Sequence, residues 1–156
     1  MTIEARVYEL LKKQNITVTT AESATGGMIA STLINVPGIS EFFTEGYVTY
    51  SNAAKVKILG VNADTIDTFG VVSNETAAEM CKCAAKVAAT DAAISVTGVA
   101  GPDGGTKDCP VGTVYIGCFF KGKTVVEHHV FPGDRMAVRK AACNRALELL
   151  LLQLEK

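Results

Sequence analysis

The spacing of hydrophobic and polar positions changes along the chain, and each spacing predicts a type of element. A helical period predicts helices from about Glu4 to Lys13 and from about Gly26 to Ile34, and the β-branched run from Ile16 to Thr20 between them predicts a strand. Further on, Gly46 to Tyr50 predicts another strand and Asn52 to Leu59 another helix. Helices and strands therefore alternate in this part of the chain.

The second half of the chain predicts two capped helices with strands between them. Ser73 or Asn74 can cap a helix that runs to about Ala89, because a short polar side chain accepts hydrogen bonds from the first free N–H groups. Asp134 can cap a long final helix in the same way. Three strands are predicted between them, at residues 92–96, 111–120 and 124–131, with a hairpin turn at 121–123.

This order of elements predicts the fold class. Strands that alternate with helices, followed by one late hairpin, predict a three-layer α/β/α domain with a mixed, mainly parallel sheet. The length of 156 residues fits a single domain over residues 1–156. In the final helix, the run from Leu147 to Leu154 is apolar on more than one side, as in helices that are buried all round. We therefore expect a second subunit to cover it, in a homodimer or a higher homo-oligomer.

The charge balance narrows the classes of partner. The chain has 15 Lys and Arg against 16 Asp and Glu, a formal net charge of -1, so it lacks the basic field that neutralises a nucleic-acid backbone. No apolar run approaches the roughly 18 residues of a membrane span, and the first residues predict an amphipathic helix instead of a signal peptide. We expect no nucleic acid, no membrane association and a cytoplasmic location.

The five cysteines and two histidines predict neither a disulfide framework nor a metal site. Cys81 and Cys83 are two residues apart on a predicted helix, which points their side chains in different directions. His128 and His129 are adjacent on a predicted strand and point to opposite faces of it.

Candidate chemistry begins where the first strand ends. Ser23 and Thr25 lie just before Gly26 and Gly27, at a predicted strand-to-helix junction where α/β sheets bind ligands. The two glycines leave free backbone N–H groups that could hold an oxyanion beside a serine or threonine nucleophile. The alternative is that both hydroxyls cap the helix and the glycines permit a tight turn.

Lys55 is a candidate base. With Ser51 or Asn52 as the N-cap, Lys55 lies in the first helical turn, where the helix dipole disfavours its positive charge. A neutral lysine can activate a serine without a histidine. The alternative is an exposed, solvated lysine.

Two further segments could bind an anion. The loop from Thr97 to Thr106 contains four glycines but fits neither the dinucleotide nor the P-loop spacing, so it is either a backbone cradle for a phosphate or carboxylate, or a plain loop. Arg135 and Arg139 lie four residues apart at the start of the final helix, where cations are disfavoured unless an anion is present. Their partner is either a phosphate or a carboxylate of the chain.

Taken together, these segments resemble one family. The chain carries TAESATGG at 20–27, VPGISEFF at 36–43, GYVTYSNAAK at 46–55, GVVS at 70–73, TGVAGPDGG at 97–105, CPVGTV at 109–114 and FPGDRMAVR at 131–139. In this order they resemble the motifs of the nicotinamide mononucleotide deamidases, the domain that forms the C-terminal part of CinA, the competence and damage-inducible protein. Two positions depart from the family pattern: Ala24 stands where the family has Cys, and Cys109 where it has Lys.

The resemblance implies hydrolysis of the carboxamide of nicotinamide mononucleotide, a small-molecule substrate, to nicotinic acid mononucleotide and ammonia, with no cofactor. It implies Ser23 as nucleophile and Lys55 as base, with Thr25 and Tyr50 positioning Ser23 or the amide. Donors near Gly26 and Gly27 would hold the oxyanion. The phosphate would be held by some of Gly101, Gly104, Gly105, Thr106, Arg135 and Arg139. The alternatives are a nucleotide-binding regulatory module without turnover and an amidohydrolase for a different pyridine or nucleotide amide.

Overall fold

The computed structural model describes residues 1–156, which form six α-helices and one five-stranded sheet. The helices are α1 (Ile3–Gln14), α2 (Met28–Leu33), α3 (Asn52–Ala54), α4 (Ala63–Phe69), α5 (Asn74–Ala88) and α6 (Arg135–Leu154). The strands are β1 (Val18–Glu22), β2 (Tyr47–Val48), β3 (Ala92–Gly98), β4 (Thr113–Phe120) and β5 (Lys123–Val130). A 3₁₀ turn (Ile39–Glu41) and a π-helical turn (Lys55–Leu59) complete the set.

The sheet is mixed, as predicted, with the strand order β2-β1-β3-β4-β5. The expectation that it is mainly parallel holds only in its first half: β2, β1 and β3 are parallel, whereas β4 and β5 are both antiparallel to their neighbours. The reason is that no helix crosses over between β3 and β4, and a tight hairpin at Lys121 and Gly122 joins β4 to β5. Because β1 and β3 are parallel neighbours, their carboxyl ends lie at the same edge of the sheet.

Helices cover both faces of the sheet, so the predicted three-layer architecture is confirmed. Ile94 and Val96 of β3 point into a large apolar cluster that also contains buried residues of α1, α2 and α6. Ala93, which directly precedes Ile94, points into a smaller cluster with Met80 and Ala84 of α5. This alternation is what a strand buried on both faces requires.

Element boundaries differ from the sequence prediction at two places that matter for the site. The strand β1 begins at Val18 instead of Ile16 and extends to Glu22, because its register with β3 pairs Glu22 with Val96. The helix predicted over residues 52–59 is divided, since α3 ends at Ala54 and the π-helical turn begins at Lys55. The predicted caps Ser73 and Asp134 are both confirmed.

Most of the leucine-rich end of α6 is covered by the chain itself, so its apolar pattern does not require a second subunit. Five of its leucines pack within the chain itself, against the sheet and α1, and are at most 5% exposed, whereas Leu152 is 44% exposed: the five are Leu147, Leu149, Leu150, Leu151 and Leu154. The helix is apolar on several sides because both the sheet and α1 pack against it. All five cysteines are free, and no helix has the length and hydropathy of a membrane span.

Candidate active site

Ser23 lies at the carboxyl end of β1, at the edge where the parallel strands end together. Its backbone N–H donates to the Val96 carbonyl of β3 at 3.0 Å, so the position of the residue is fixed by the sheet. Its side chain lines a cavity of about 150 Å³. The other lining residues are Ala24, Tyr50, Asn52, Lys55, Val71, Val72, Thr97, Gly98, Ala100 and Arg135.

The Lys55 amine is in direct contact with Ser23. Its Nζ is 3.0 Å from Ser23 Oγ and also donates to the Thr49 carbonyl at 2.7 Å, although the side chain is 0% exposed. Ser51 caps α3 through the Ala54 N–H, as the sequence predicted. The lysine then begins the π-helical turn, a rare geometry that recurs at functional sites. A long charged side chain is thus buried beside one hydroxyl.

Burial lowers the pKa of Lys55 from 10.5 to about 8, because the charged ammonium loses its water. The sequence argument expected the helix dipole to lower this pKa, whereas the cause in the structure is burial of the amine. A neutral amine has two N–H donors, which the carbonyls of Thr49 and Tyr50, at 2.7 and 3.5 Å, can accept. Its lone pair is then free to accept the Ser23 hydroxyl proton.

Glu22 is a site residue that the sequence analysis missed. Its carboxylate is buried and accepts hydrogen bonds from the N–H groups of Ile29 and Ala30, at 2.9 and 3.1 Å. Gly27, the N-cap of α2, has no side chain to do this. Glu22 therefore caps α2 although it lies six residues before the first residue of the helix. Sequence patterns for helix capping use residues within about three positions of the helix start, so they do not detect it. The sequence feature that could have indicated this role is an acidic residue close to a predicted helix N-terminus, where a negative charge is favourable.

The donors expected at Gly26 and Gly27 are only partly free. The Gly26 N–H donates to the Ser23 carbonyl at 3.0 Å, which closes a tight turn over residues 23–26. This corrects the expectation for Gly26, because its hydrogen is already used. The N–H groups of Ala24, Thr25 and Gly27 have no acceptor within the protein. Of these three residues only Ala24 lines the cavity, so its N–H is the free donor that this turn offers beside Ser23.

Thr25 is brought into the same turn but not into contact with the lysine. Its side chain is 0% exposed, and its Oγ1 has no hydrogen-bond partner. Lys55 Nζ contacts Ser23 Oγ instead. As a second nucleophile Thr25 therefore lacks the base that Ser23 has.

The two arginines of α6 have different partners. Arg135 lines the cavity and donates to the Gly101 carbonyl at 2.7 Å and to the Tyr50 hydroxyl at 3.0 Å. Arg139 is turned away from the cavity and donates to the carbonyls of Ala24 and Thr25, at 2.9 and 3.1 Å. Neither guanidinium lies within 4.0 Å of a carboxylate, so the alternative of a carboxylate partner within the chain is wrong.

The glycine loop reaches the cavity only at its start. Gly98 and Ala100 line the cavity, while Gly104, Gly105 and Thr106 lie outside it. The Thr106 hydroxyl accepts the Cys109 N–H at 3.0 Å, an interaction internal to the loop. The N–H groups of Gly101, Gly104 and Gly105 donate no hydrogen bond within the protein, but Gly101 is buried, so only those of the exposed Gly104 and Gly105 are open to an anion. No group of three or more His, Cys, Asp or Glu side chains is placed to hold a metal.

A family model described as CinA C-terminal domain matches residues 1–154 of the chain. A relative from Clostridium perfringens, named as a competence-damage inducible protein, is 53% identical over 156 residues. A CinA-like protein from Kosmotoga olearia is 49% identical over 148 residues. The chain spans 38% and 36% of the length of these two curated relatives, which are therefore much longer proteins.

Solved structures match over nearly the whole chain. A CinA superfamily protein from Klebsiella pneumoniae has a TM-score of 0.94 and 35% identity, covering 98% of this chain and 96% of its own. A competence/damage inducible protein from Agrobacterium tumefaciens has a TM-score of 0.91 and 36% identity, covering 99% of this chain and 96% of its own. The α/β fold described above is therefore the fold of these proteins.

The burial of Lys55 predicts a pH-dependent cost in stability. The folded pKa of about 8 is below 10.5, the ordinary pKa of a solvated lysine, so between these two pH values the unfolded chain binds more protons and stability rises with pH. Lys55→Met removes this penalty. Its gain in unfolding free energy over the wild type should be largest below pH 8 and shrink by up to about 3 kcal/mol as the pH approaches 10.5.

Urea denaturation at a series of pH values measures this difference. Lys57→Met is the matched control, since Lys57 is an exposed lysine of the same turn. A Lys55→Met difference that is as independent of pH as that of the control would contradict the depressed pKa.

Proposed function

The chain belongs to the CinA C-terminal domain family, and we propose that it is an amidohydrolase that converts nicotinamide mononucleotide and water to nicotinic acid mononucleotide and ammonia. The observation that carries this proposal is the buried contact between Lys55 Nζ and Ser23 Oγ at 3.0 Å. A solvated surface lysine would need neither this burial nor this partner. The pair has the form of a nucleophile with its own base, which does not require a histidine.

In the first step, Ser23 Oγ forms a bond to the amide carbon. The hydroxyl proton moves to Lys55 Nζ, and the electron pair of the C=O double bond moves to oxygen. When the tetrahedral intermediate collapses, the C–N bond breaks and Lys55 gives its proton to the departing nitrogen, which leaves as ammonia. A water molecule then attacks the acyl-enzyme with Lys55 again as base, and the collapse of this second intermediate returns the proton to Ser23 and releases the acid.

The size of the cavity supports an aromatic carboxamide. Cavities of about 150 Å³ hold a single six-membered ring, and the cavity beside Ser23 has about this volume. The ribose phosphate of a mononucleotide would therefore extend beyond it. Arg135 lines the cavity, and its guanidinium offers donors to a phosphate.

Incubating the purified protein with nicotinamide mononucleotide and assaying ammonia tests the proposed reaction. We expect the wild type to release ammonia at a rate that rises with pH through the Lys55 pKa of about 8, because only the neutral amine accepts the serine proton. Ser23→Ala should lower turnover by about 100-fold or more while nucleotide binding persists, since the hydroxyl is used only in the transition state. Ser31→Ala, an exposed serine on α2, is the control.

Two results would overturn the proposal in different ways. Nucleotide binding without ammonia release would favour a regulatory module. Release of ammonia from other pyridine amides but not from this mononucleotide would assign the Ser23 and Lys55 pair to a different substrate.

Arg135 should bind the phosphate. Arg135→Met is expected to raise the Michaelis constant for nicotinamide mononucleotide by about 10-fold or more, because a charge-assisted hydrogen bond contributes about 1.5–3 kcal/mol. Nicotinamide riboside, which lacks the phosphate, should be affected much less. Steady-state kinetics with both compounds measure the difference, with Lys140→Met, an exposed cation on the same helix, as the control. Equal losses for both compounds would place the phosphate elsewhere.

A further inference from the structure

Gly98, at the end of β3, lines the same cavity as Ser23, and its backbone N–H faces the place where β1 ends. The Ala92 N–H of β3 donates to the Thr17 carbonyl at 3.0 Å. The Val96 carbonyl accepts the Ser23 N–H, also at 3.0 Å. Even-numbered residues of β3 thus direct their backbone groups toward β1. Because successive residues of a strand alternate between its two edges, the N–H of Gly98 is directed to that side as well.

The Gly98 N–H is left unpaired because the chain turns away after β1. The pairing pattern would give it the Ser23 carbonyl, but that carbonyl accepts the Gly26 N–H at 3.0 Å. The Glu22 carbonyl is also occupied, since it accepts the Thr49 N–H at 2.9 Å. The Gly98 N–H therefore donates to no carbonyl of the protein. The end of β1 leaves a free donor at the cavity.

We infer that the N–H groups of Ala24 and Gly98 together form the oxyanion hole of this site, an inference that rests on the proposed hydrolase function. Both residues line the cavity beside Ser23, and both N–H groups are unpaired. Glu22 pairs with Val96, so two positions further along this register Ala24 comes opposite Gly98. The two donors therefore come from neighbouring strands at one edge of the sheet.

This pair of donors suits the charge that develops in the reaction. As Ser23 Oγ bonds to the amide carbon, the hydroxyl proton moves to Lys55 Nζ and the electron pair of the C=O bond moves to oxygen. A donor stabilises that negative oxygen most when it is unpaired and fixed in direction before the reaction. The Ala24 N–H directly follows the nucleophile in the chain, and the Gly98 N–H approaches from the adjacent strand.

The position of Gly98 is fixed by its contact with β4. The N–H of the next residue, Val99, donates to the Thr113 carbonyl at 2.8 Å, and the Val99 carbonyl accepts the Gly112 N–H at 2.8 Å. A Cβ atom on Gly98 would lie 2.8 Å from the Thr113 carbonyl oxygen and 3.1 Å from Val114 Cα. Any other residue would therefore push β4 away, so the glycine allows the close approach that holds this donor.

Isotope labelling can observe the two donors without mutating either of them. The dipeptide Ser-Ala occurs once in the chain, at 23–24, and Thr-Gly occurs twice, at 25–26 and 97–98. One cell-free sample with ¹³C-carbonyl serine and ¹⁵N-alanine therefore gives a single linked amide signal, that of Ala24. A second sample with ¹³C-carbonyl threonine and ¹⁵N-glycine gives two, and Thr25→Ser removes that of Gly26.

Pyridine-3-boronic acid is the probe, because it needs no turnover. Ser23 Oγ bonds to boron, its proton goes to Lys55 Nζ, and the tetrahedral anion places a boron-bound oxygen where the oxyanion would form. We expect the amide proton signals of Ala24 and Gly98 to move downfield, because each donor gains an anionic acceptor. The Gly26 signal should move much less, since its N–H is already paired. Ser23→Ala, which forms no adduct, is the control.

A variant that lacks the N–H measures its contribution to the rate. Glycolic acid in place of Gly98 replaces the amide by an ester, which removes the N–H and adds no side chain against β4. We expect kcat to fall by about 100-fold or more, as when one oxyanion donor is lost, with the Michaelis constant changed by less than about threefold. The same replacement at Gly105, whose unpaired N–H lies outside the cavity, is the control.

The outcomes separate this inference from the proposed substrate. Downfield shifts of both donors in a wild type that does not hydrolyse nicotinamide mononucleotide would overturn the substrate and support the oxyanion hole. A Gly98 signal that moves no more than that of Gly26, a wild type that forms no tetrahedral boron adduct by ¹¹B NMR, or an ester variant with the kcat of the wild type would overturn the role of Gly98. Thermal unfolding identifies an ester variant that misfolds, and in that case the shifts in the wild type decide.

Discussion

The structure of this site depends on burying one lysine amine against one serine hydroxyl. Taking an ammonium out of water is unfavourable, so the Lys55 amine tends toward its neutral form, and the pKa of about 8 expresses that tendency. The cost is limited because the Thr49 and Tyr50 carbonyls accept the amine hydrogens. Those carbonyls precede α3 directly, and the π-helical turn begins at Lys55 itself. The short strand β2 and the divided helix after it thus serve to deliver the amine to Ser23.

The turn after β1 solves a second problem, which is how to keep backbone donors free near the nucleophile. A helix start normally exposes several unpaired N–H groups. Glu22 takes two of those of α2, Gly26 closes the turn onto the Ser23 carbonyl, and Arg139 occupies the carbonyls on the other side. What remains unpaired of this turn at the cavity beside Ser23 is the N–H of Ala24. Glu22 and Arg139, the two charged side chains at this turn, therefore hydrogen-bond to backbone groups and not to each other.

Local patterns predicted much of this arrangement. The caps at Ser73 and Asp134, the hairpin turn and the positions of Ser23 and Lys55 depend on a few neighbouring residues, and the structure has them as expected, except that the cause of the lysine pKa shift is burial. Contacts between residues far apart in the sequence could not be predicted from local patterns. Arg139 meets Ala24 across 115 positions of sequence, and nothing local distinguishes that partner from a phosphate. The leucine-rich end of α6 is ambiguous for the same reason, because a helix covered by its own chain has the same pattern as one covered by a second subunit, and the homo-oligomer stays a prediction.

The most direct measurement of the central claim is the titration of the Lys55 amine in the folded protein. Selective ¹³C labelling of the lysines allows each side chain to be followed by NMR from about pH 6 to 11, and the signal missing from Lys55→Met identifies this residue. A transition near pH 8 would agree with an amine that is buried and able to accept the Ser23 proton. A transition near 10.5, the value of a solvated lysine, would contradict it and remove the base from the mechanism.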